Sequence, residues 1–412
     1  MPSADGRATG IAITAGFRGP NDPPILHSSF ERERSVDVQT FSLRREQDAH
    51  TIADVSGDTT LIILFGDPEI ATAAPLIAAL RGRFPAAILI GCSSAGEIVG
   101  DSILDHTVSG ALIGFAGTTL RATSASVDTP EASFAAGTAV AQALAAPDLR
   151  GILVLSDGLH VNGSELVRGI NAVLPPEVPV TGGLAGDGDR FQQTWVISDG
   201  HPVSGVVSAV GFYGDAIRLG HGSKGGWNIF GPERVVTRSA GNVLFELDGR
   251  PALALYKQYL GELAAGLPST ALLFPLAVRI DDDPDKQIVR TILGIDEAAQ
   301  SLTFAGDVPQ GSRAQLMRAD FDRLIGSAGD AAVLACPGGA ASVLSVAISC
   351  VGRRLILGER CEEELEAALE FLSSGTQQIG FYSYGEIAPF AAGQCDLHNQ
   401  TLTLTTITEL AA

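Results

Sequence analysis

The stretch LIILFGDPEIATAAPLIAALRGRFPAAILIGCSSAGEI (61–98) contains the pattern that decides the fold. Its first five residues, LIILF, form an apolar run that predicts a fully buried strand. A helical pattern extends from Ile70 to Leu80, and a second apolar run ends at Ile90, just before a glycine loop (91–98). Strand, helix and strand at this spacing predict a βαβ crossover with two parallel strands.

The same succession recurs twice along the chain. Leu64 and Ile90 are 26 positions apart, and so are Leu155 and Thr181 in the second copy. That copy consists of ILVL (152–155), a helical stretch from Ser164 to Leu174, VPVT, and GGLAGD (182–187). The third copy consists of VLSVAISC (343–350), a helix from Glu362 to Leu372, and QIGFYSYGEI (378–387). Matching landmarks at matching spacing predict a repeated structural unit.

The repeats predict an α/β protein with mixed parallel and antiparallel sheets, built from βαβ units in two domains. Strands such as SGALIGF (109–115) and SGVVSAVGF (204–212) follow the crossovers and are expected to pair antiparallel. We predict a peripheral N-terminal arm at 1–45, an N-terminal domain with two βαβ repeats at 46–249, and a C-terminal domain with one repeat at 250–412.

Charge and composition exclude several classes of protein. The 412 residues include 27 Lys and Arg against 47 Asp and Glu, for a formal charge of −20, so neither nucleic acid nor an anionic membrane is the expected partner. No apolar run of signal-peptide length is found near the start. Five cysteines without a CxxC pair predict buried, mostly inert thiols. We therefore expect a cytoplasmic protein.

Common catalytic signatures are absent from the sequence. Ser94 and Ser383 lack the glycine that GxSxG requires two positions before the serine, and neither HExxH nor CxxC occurs. GHGSKG (220–225) matches GxGxxG as text, but GWNIFGP follows it instead of a helix. A nucleotide-binding loop is therefore not predicted.

The strand ends and the three glycine loops carry the candidate ligand-binding side chains. In open α/β sheets, ligands bind beyond the carboxyl ends of the strands, and these residues are predicted to lie there. A simpler alternative is that each glycine only permits a tight turn. The candidates are Cys92, Ser93, Ser94, Glu97, Asp157, Asp187, Arg353, Tyr382, Tyr384 and Glu386.

The last glycine loop and the CVGRR strand end are predicted to form a pocket in the C-terminal half. Tyr382 and Tyr384 alternate with Ser383, so in extended backbone both rings would face one side and sandwich a ligand. Glu386 and Arg353 would hold its charged ends, which suits a small polar or zwitterionic molecule. The alternative is that one tyrosine packs in the core and that Glu386 and Arg353 form an internal ion pair.

Taken together, the motifs resemble the FIST family, whose name joins F-box and intracellular signal transduction. The resemblance covers about residues 58–404 and leaves the arm at 1–45 outside. The segments that carry it are GCSSAGEI (91–98), DGL (157–159), GGLAGD (182–187), GNVLFELDGRPALALYKQYLGE (241–262), LLFPL (272–276), CVGRR (350–354), GFYSYGEIAPF (380–390) and HNQT (398–401). Members often have a His-Gly-Trp-like stretch, whereas HGSKGGW (221–227) separates the histidine from the tryptophan.

The resemblance implies a sensory module that binds a small ligand, for which amino acids have been proposed. Such a module would act through a separate signalling protein such as a kinase or cyclase. Some members of the family bind haem and sense nitric oxide, which would make His221 or His106 an axial ligand here. A third hypothesis, from the residues alone, is an enzyme with Cys92 as its nucleophile; we expect instead that the protein is not an enzyme.

Overall fold

The computed structural model describes residues 36–279, 287–336, 343–389 and 394–410. Most of the predicted N-terminal arm, residues 1–35, lies outside the described residues. The end of that arm forms an edge strand, Asp37–Leu43, which pairs antiparallel with a strand of the first repeat. Among the described residues, no helix is both long and apolar enough to cross a membrane.

Three units with similar successions of strands and helices make up most of the chain. Unit one contains β1 (Asp37–Leu43), β2 (Thr59–Gly66), α1 (Ile70–Arg83), β3 (Ile88–Ser93), β4 (Glu97–Val99), β5 (Ser102–Leu104) and β6 (Val108–Phe115). Unit two contains β7 (Thr119–Ser126), α2 (Ser133–Leu144), β8 (Leu149–Ser156), α3 (Gly163–Asn171), β9 (Val180–Leu184), β10 (Val196–Ser198), β11 (His201–Val203) and β12 (Val206–Tyr213).

Unit three begins with β13 (Ile217–Lys224) and is interrupted by a long insertion. The insertion contains β14 (Asn228–Ile229), β15 (Arg234–Ala240), β16 (Val243–Leu247), β17 (Arg250–Pro251), α4 (Ala252–Leu260), β18 (Leu276–Arg279), β19 (Gln287–Arg290), β20 (Ile292–Asp296), β21 (Ser301–Phe304) and β22 (Arg313–Arg318). Unit three resumes with α5 (Phe321–Ala335), β23 (Leu344–Cys350), α6 (Val351–Leu357), α7 (Cys361–Glu370), β24 (Gln377–Ser383), β25 (Gly385–Pro389), β26 (Cys395–His398) and β27 (Leu402–Glu409).

The predicted α/β class with repeated βαβ units and mixed sheets is confirmed. The pairs β2–β3, β8–β9 and β23–β24 are parallel, and β6, β12 and β27 pair antiparallel with the first strand of each pair. The strand orders are β1-β6-β2-β3-β10-β11 in sheet one, β26-β25-β9-β8-β12-β7 in sheet two and β13-β27-β23-β24-β4-β5 in sheet three. The three sheets therefore share one plan.

Each unit extends a β-hairpin to the edge of another unit's sheet. This hairpin is here called the unit's arm, and it is distinct from the N-terminal arm at 1–45. The arm β4–β5 of unit one extends sheet three, β10–β11 of unit two extends sheet one, and β25–β26 of unit three extends sheet two. The three exchanges close a ring, because every sheet gives one arm and receives one. The units consequently depend on one another for complete sheets.

The inner faces of the three sheets meet in a shared apolar core. Alternate residues of the central strands point to that core, and the residues between them face the helices. In β2, for example, Leu61, Ile63 and Phe65 lie in the shared core, whereas Ile62 and Leu64 pack under α1. Burial on both faces explains why these strands are continuous apolar runs.

The insertion forms a separate nine-stranded sheet, sheet four. Its order is β19-β18-β22-β15-β16-β21-β20, with β14 on β22 and β17 on β16. It packs α4 against its own apolar cluster. Sheet four begins before residue 249 and ends well after it, so the predicted boundary at that position falls inside the sheet; the boundary itself stays a prediction.

Candidate functional site

A cavity of about 1050 Å³ lies where unit two, unit three and sheet four meet. Gly158 follows β8 and Cys350 ends β23, so the carboxyl ends of two parallel-sheet strands form part of its wall. Thr291 and Phe304 of sheet four contribute another part. This position agrees with the rule that places ligands beyond the carboxyl ends of parallel strands.

The wall of the cavity is mainly apolar. Aliphatic and aromatic side chains come from all three parts of the protein, and they are Leu159, Val161, Leu184, Phe191, Leu272, Leu273, Ile292, Leu293, Phe304, Phe321, Val351, Leu355 and Ile356. A small-molecule site has this composition when a few polar groups fix the ligand's orientation.

Thr291 provides a polar group with no partner of its own. The residue is 4% exposed, and its Oγ1 has no hydrogen-bond partner among the described residues. Another polar side chain in the wall, Asn162, is already engaged: it caps α3 by accepting from the backbone N–H groups of Ser164 and Glu165. Because an unpaired buried hydroxyl costs free energy, a ligand that reached the Thr291 hydroxyl would offset that cost.

Tyr384 lines the cavity, and its position depends on Asp187. The Tyr384 hydroxyl donates to the Asp187 carboxylate, and its ring stacks on Phe191 with centroids 4.6 Å apart. Asp187 also accepts from the backbone N–H groups of residues 191–193 at 2.8–2.9 Å. Burial alone would raise the pKa of Asp187, but these hydrogen bonds lower it. Asp187 thus orders the loop that carries Phe191.

Tyr382 and Arg353 lie in the protein interior. Arg353 is fully buried and pairs with Glu364, with Nη2 2.8 Å from Oε2, and the Tyr382 hydroxyl donates to the same carboxylate at 2.9 Å. Tyr382 and Tyr384 do not share a face, because β24 ends at Ser383 and the chain then crosses to sheet two. Arg353 belongs to helix α6 instead of a strand end.

Glu97 and Glu386 have equivalent positions at the base of two arms. Glu97 is the first residue of β4, and Glu386 is the second residue of β25. Each glutamate accepts hydrogen bonds from the backbone N–H and the Oγ1 of a threonine that follows the hairpin. The threonines are Thr107 in unit one and Thr401 in unit three. Burial raises the pKa of each glutamate to about 8. Both carboxyl groups fasten an arm to its own unit and are away from the cavity wall.

The remaining predicted residues of the first two units also have protein partners or lie in the core. Cys92 is in the shared core, where burial raises the pKa of its thiol, so the reactive thiolate is disfavoured. Ser93 accepts from the N–H of Trp195, and Ser94 accepts from the N–H of Gly96. Asp157 accepts from three backbone N–H groups, those of residues 159, 160 and 205.

The two histidines considered for haem are outside the wall of the cavity as the described residues define it. His106 is largely exposed in a turn, with Nδ1 2.7 Å from Oδ2 of Asp67. His221 lies on β13, where burial lowers its pKa.

Of the residues that the sequence singles out, Tyr384 and part of CVGRR (350–354) lie in the cavity wall, whereas sheet four's share of that wall was not predicted. Thr291, Ile292 and Leu293 lie in QIVRTILGI (287–295), which carries none of the candidate residues. Its contact with the other two units is a long-range property that no local pattern carries.

The fold and the cavity define a class: an α/β protein of interlocked βαβ units with an inserted sheet and a cavity between its parts. The FIST N domain profile matches residues 60–250, and the FIST C domain profile matches residues 252–389. The chain belongs to the FIST family. FIST domains are small-ligand sensory domains of signal transduction. No curated protein was found to match the chain.

Proposed function

We propose that the chain is a sensory protein whose small ligand binds in the cavity between unit two, unit three and sheet four. The observation that carries the proposal is the unpartnered, buried hydroxyl of Thr291 in a mainly apolar wall. The family's general role in sensing supports it. The resemblance to the family suggests an amino acid or a similar small polar molecule as the ligand, and the charge carried by such a molecule remains to be tested.

The site's place at a junction also supports a sensory role. A ligand there would contact three parts of the chain at once, so it would favour whichever arrangement of those parts closes around it. A separate signalling protein in the cytoplasm, such as a kinase or cyclase, would then distinguish the ligand-bound arrangement from the ligand-free one. The haem and Cys92 hypotheses have no comparable support, because their candidate residues are away from the cavity.

The substitution Thr291→Val tests the site with two effects of opposite sign. Removing an unpaired buried hydroxyl should raise the free energy of unfolding of the ligand-free protein by about 1 kcal/mol. Losing the ligand's hydrogen-bond partner should weaken binding about tenfold, which corresponds to about 1.4 kcal/mol. Urea unfolding measures the first effect, and calorimetric titration with a panel of amino acids and their derivatives measures the second.

Thr405→Val is the matched control. Thr405 is buried, and its Oγ1 likewise has no partner among the described residues, but it lies on β27 outside the cavity wall. It should gain stability without any change in affinity. Equal affinities of Thr291→Val and the parent for a ligand that binds would place the site elsewhere.

A further inference from the structure

The charges around the cavity restrict what it can hold. Of the described residues in its wall, Asp189 alone carries a formal charge, and it is exposed at the rim. No lysine, arginine or histidine is among them. An anion entering the cavity would therefore meet no positively charged side chain on the described wall.

The buried guanidinium groups nearby are already engaged. Arg353 pairs with Glu364 and donates to the carbonyls of Gly225 and Leu324. Arg290 lies behind Gly306 of the wall and donates to backbone carbonyls, among them that of Leu397 at 2.9 Å. Turning either group towards a ligand would break several buried hydrogen bonds, which is costly.

Apart from Asp189, the most exposed large side chains of the wall are apolar as well. Four large side chains in the wall remain at least 41% exposed, and they are Phe191, Leu293, Phe321 and Leu355. Exposed apolar residues gathered at one opening favour contact with an apolar body. A carboxylate moved from water into such a place loses its hydration without compensation, and the loss amounts to several kcal/mol.

We propose that the ligand carries no negative charge and has an apolar body and one hydrogen-bonding group that reaches Thr291. Free carboxylates are excluded, and zwitterionic amino acids with them, whereas neutral amides and alcohols of the same shape are accepted. This inference rests on the proposed function, since it concerns the same cavity.

A matched series of ligands with one body and different head groups tests the inference on the full-length protein. The series is 4-methylpentanamide and 4-methylpentanoate, titrated at pH 7.5 against the uncharged fluorescent dye Nile red. We expect the amide to displace the dye at least tenfold more tightly than the acid. An acid that binds as tightly as the amide overturns the inference.

Two variants test the same inference by changing the charge of the protein instead of the charge of the ligand. Leu293→Lys places an ammonium group at the exposed rim and should improve the acid's affinity at least fivefold relative to the amide's. Leu263→Lys adds the same charge at an exposed position outside the described wall and should leave the ratio unchanged. An unchanged ratio in Leu293→Lys counts against the inference.

The outcomes separate this inference from the proposed function. If dye and amide bind the parent and Thr291→Val weakens the amide, the cavity is a binding site whichever head group is preferred. If neither dye nor any member of the series binds, the cavity itself is rejected, and the inference falls with it.

Discussion

At the scale of single residues, Arg353 and Glu364 form a fully buried ion pair whose disruption should be costly. Replacing Arg353 by Met leaves the Glu364 carboxylate without its positive partner and should lower the free energy of unfolding by about 3–5 kcal/mol. The double variant Arg353→Met with Glu364→Gln should lose clearly less than the sum of the single changes. Urea unfolding of the four proteins gives this comparison; additive losses would mean that the two groups are not coupled.

The buried glutamates at the arm bases should make stability depend on pH. Each would titrate near 4.5 in the unfolded chain, and burial raises its pKa to about 8 in the folded protein. The contribution of the two protonated carboxyl groups to the free energy of unfolding is therefore fully present below pH about 4.5 and is lost as the pH rises towards 8. Relative to the parent, Glu97→Gln should gain stability over this range, by at most about 1.4 kcal/mol per pH unit.

Urea unfolding at pH 5, 6.5 and 8 measures this effect. The exposed Glu366→Gln serves as a control and should follow the parent at every pH. Parallel curves for Glu97→Gln and the parent would show that Glu97 does not titrate in this range.

The candidate site shows what residue types alone do not reveal. Glu97, Asp187 and Glu386 follow glycine loops at strand ends, and the sequence assigns all three to ligand binding. In the structure their oxygens accept from the chain's own N–H and O–H groups. A carboxylate that orders a loop and one that holds a ligand look alike in sequence, because residue types do not show which N–H and O–H groups the fold brings to the carboxylate.

At the scale of elements, the equivalent contacts at two arm bases should have equivalent effects. Thr107→Val and Thr401→Val each remove one hydroxyl donor to a buried glutamate and should each lower the free energy of unfolding by about 1–3 kcal/mol. Hydrogen exchange should show faster opening of β4–β5 in the first variant and of β25–β26 in the second. Opening of the same arm in both would contradict the equivalence of the units.

The sequence predicts the elements well but not where the arms bind. The apolar runs identify β2, β3, β8, β9, β23 and β24, the 26-residue spacing relates the first two pairs, and the runs at 109–115 and 204–212 identify β6 and β12. A hairpin's alternation shows that it has one buried face without showing which sheet edge receives it. Likewise, the charged sequence before residue 45 does not show that residues 37–43 form β1 at the edge of sheet one.

At the scale of the whole molecule, the ring of exchanged arms should make the described chain unfold as one unit. The segment 36–250 alone would lack β25–β26 for sheet two and would leave β4–β5 without sheet three. We expect it to show no cooperative urea transition and to regain one when mixed with segment 251–412. Near-ultraviolet circular dichroism measures this; a segment 36–250 with the parent's unfolding midpoint would show that the exchange is dispensable.

The exchanged arms also determine when strands can pair while the chain is being made on the ribosome. The arm β4–β5 pairs with β24, and the hydrogen bond from Gln378 to the carbonyl of Gly100 joins residues 278 positions apart. At ribosomal rates of about 5–20 residues per second, that separation corresponds to a wait of roughly 15–55 s. Throughout it the first arm has no edge of its own chain to join, while nascent neighbours on the same messenger RNA present similar arms and edges. Chaperone capture during this interval would then determine how much of the newly made protein pairs its arms within its own chain.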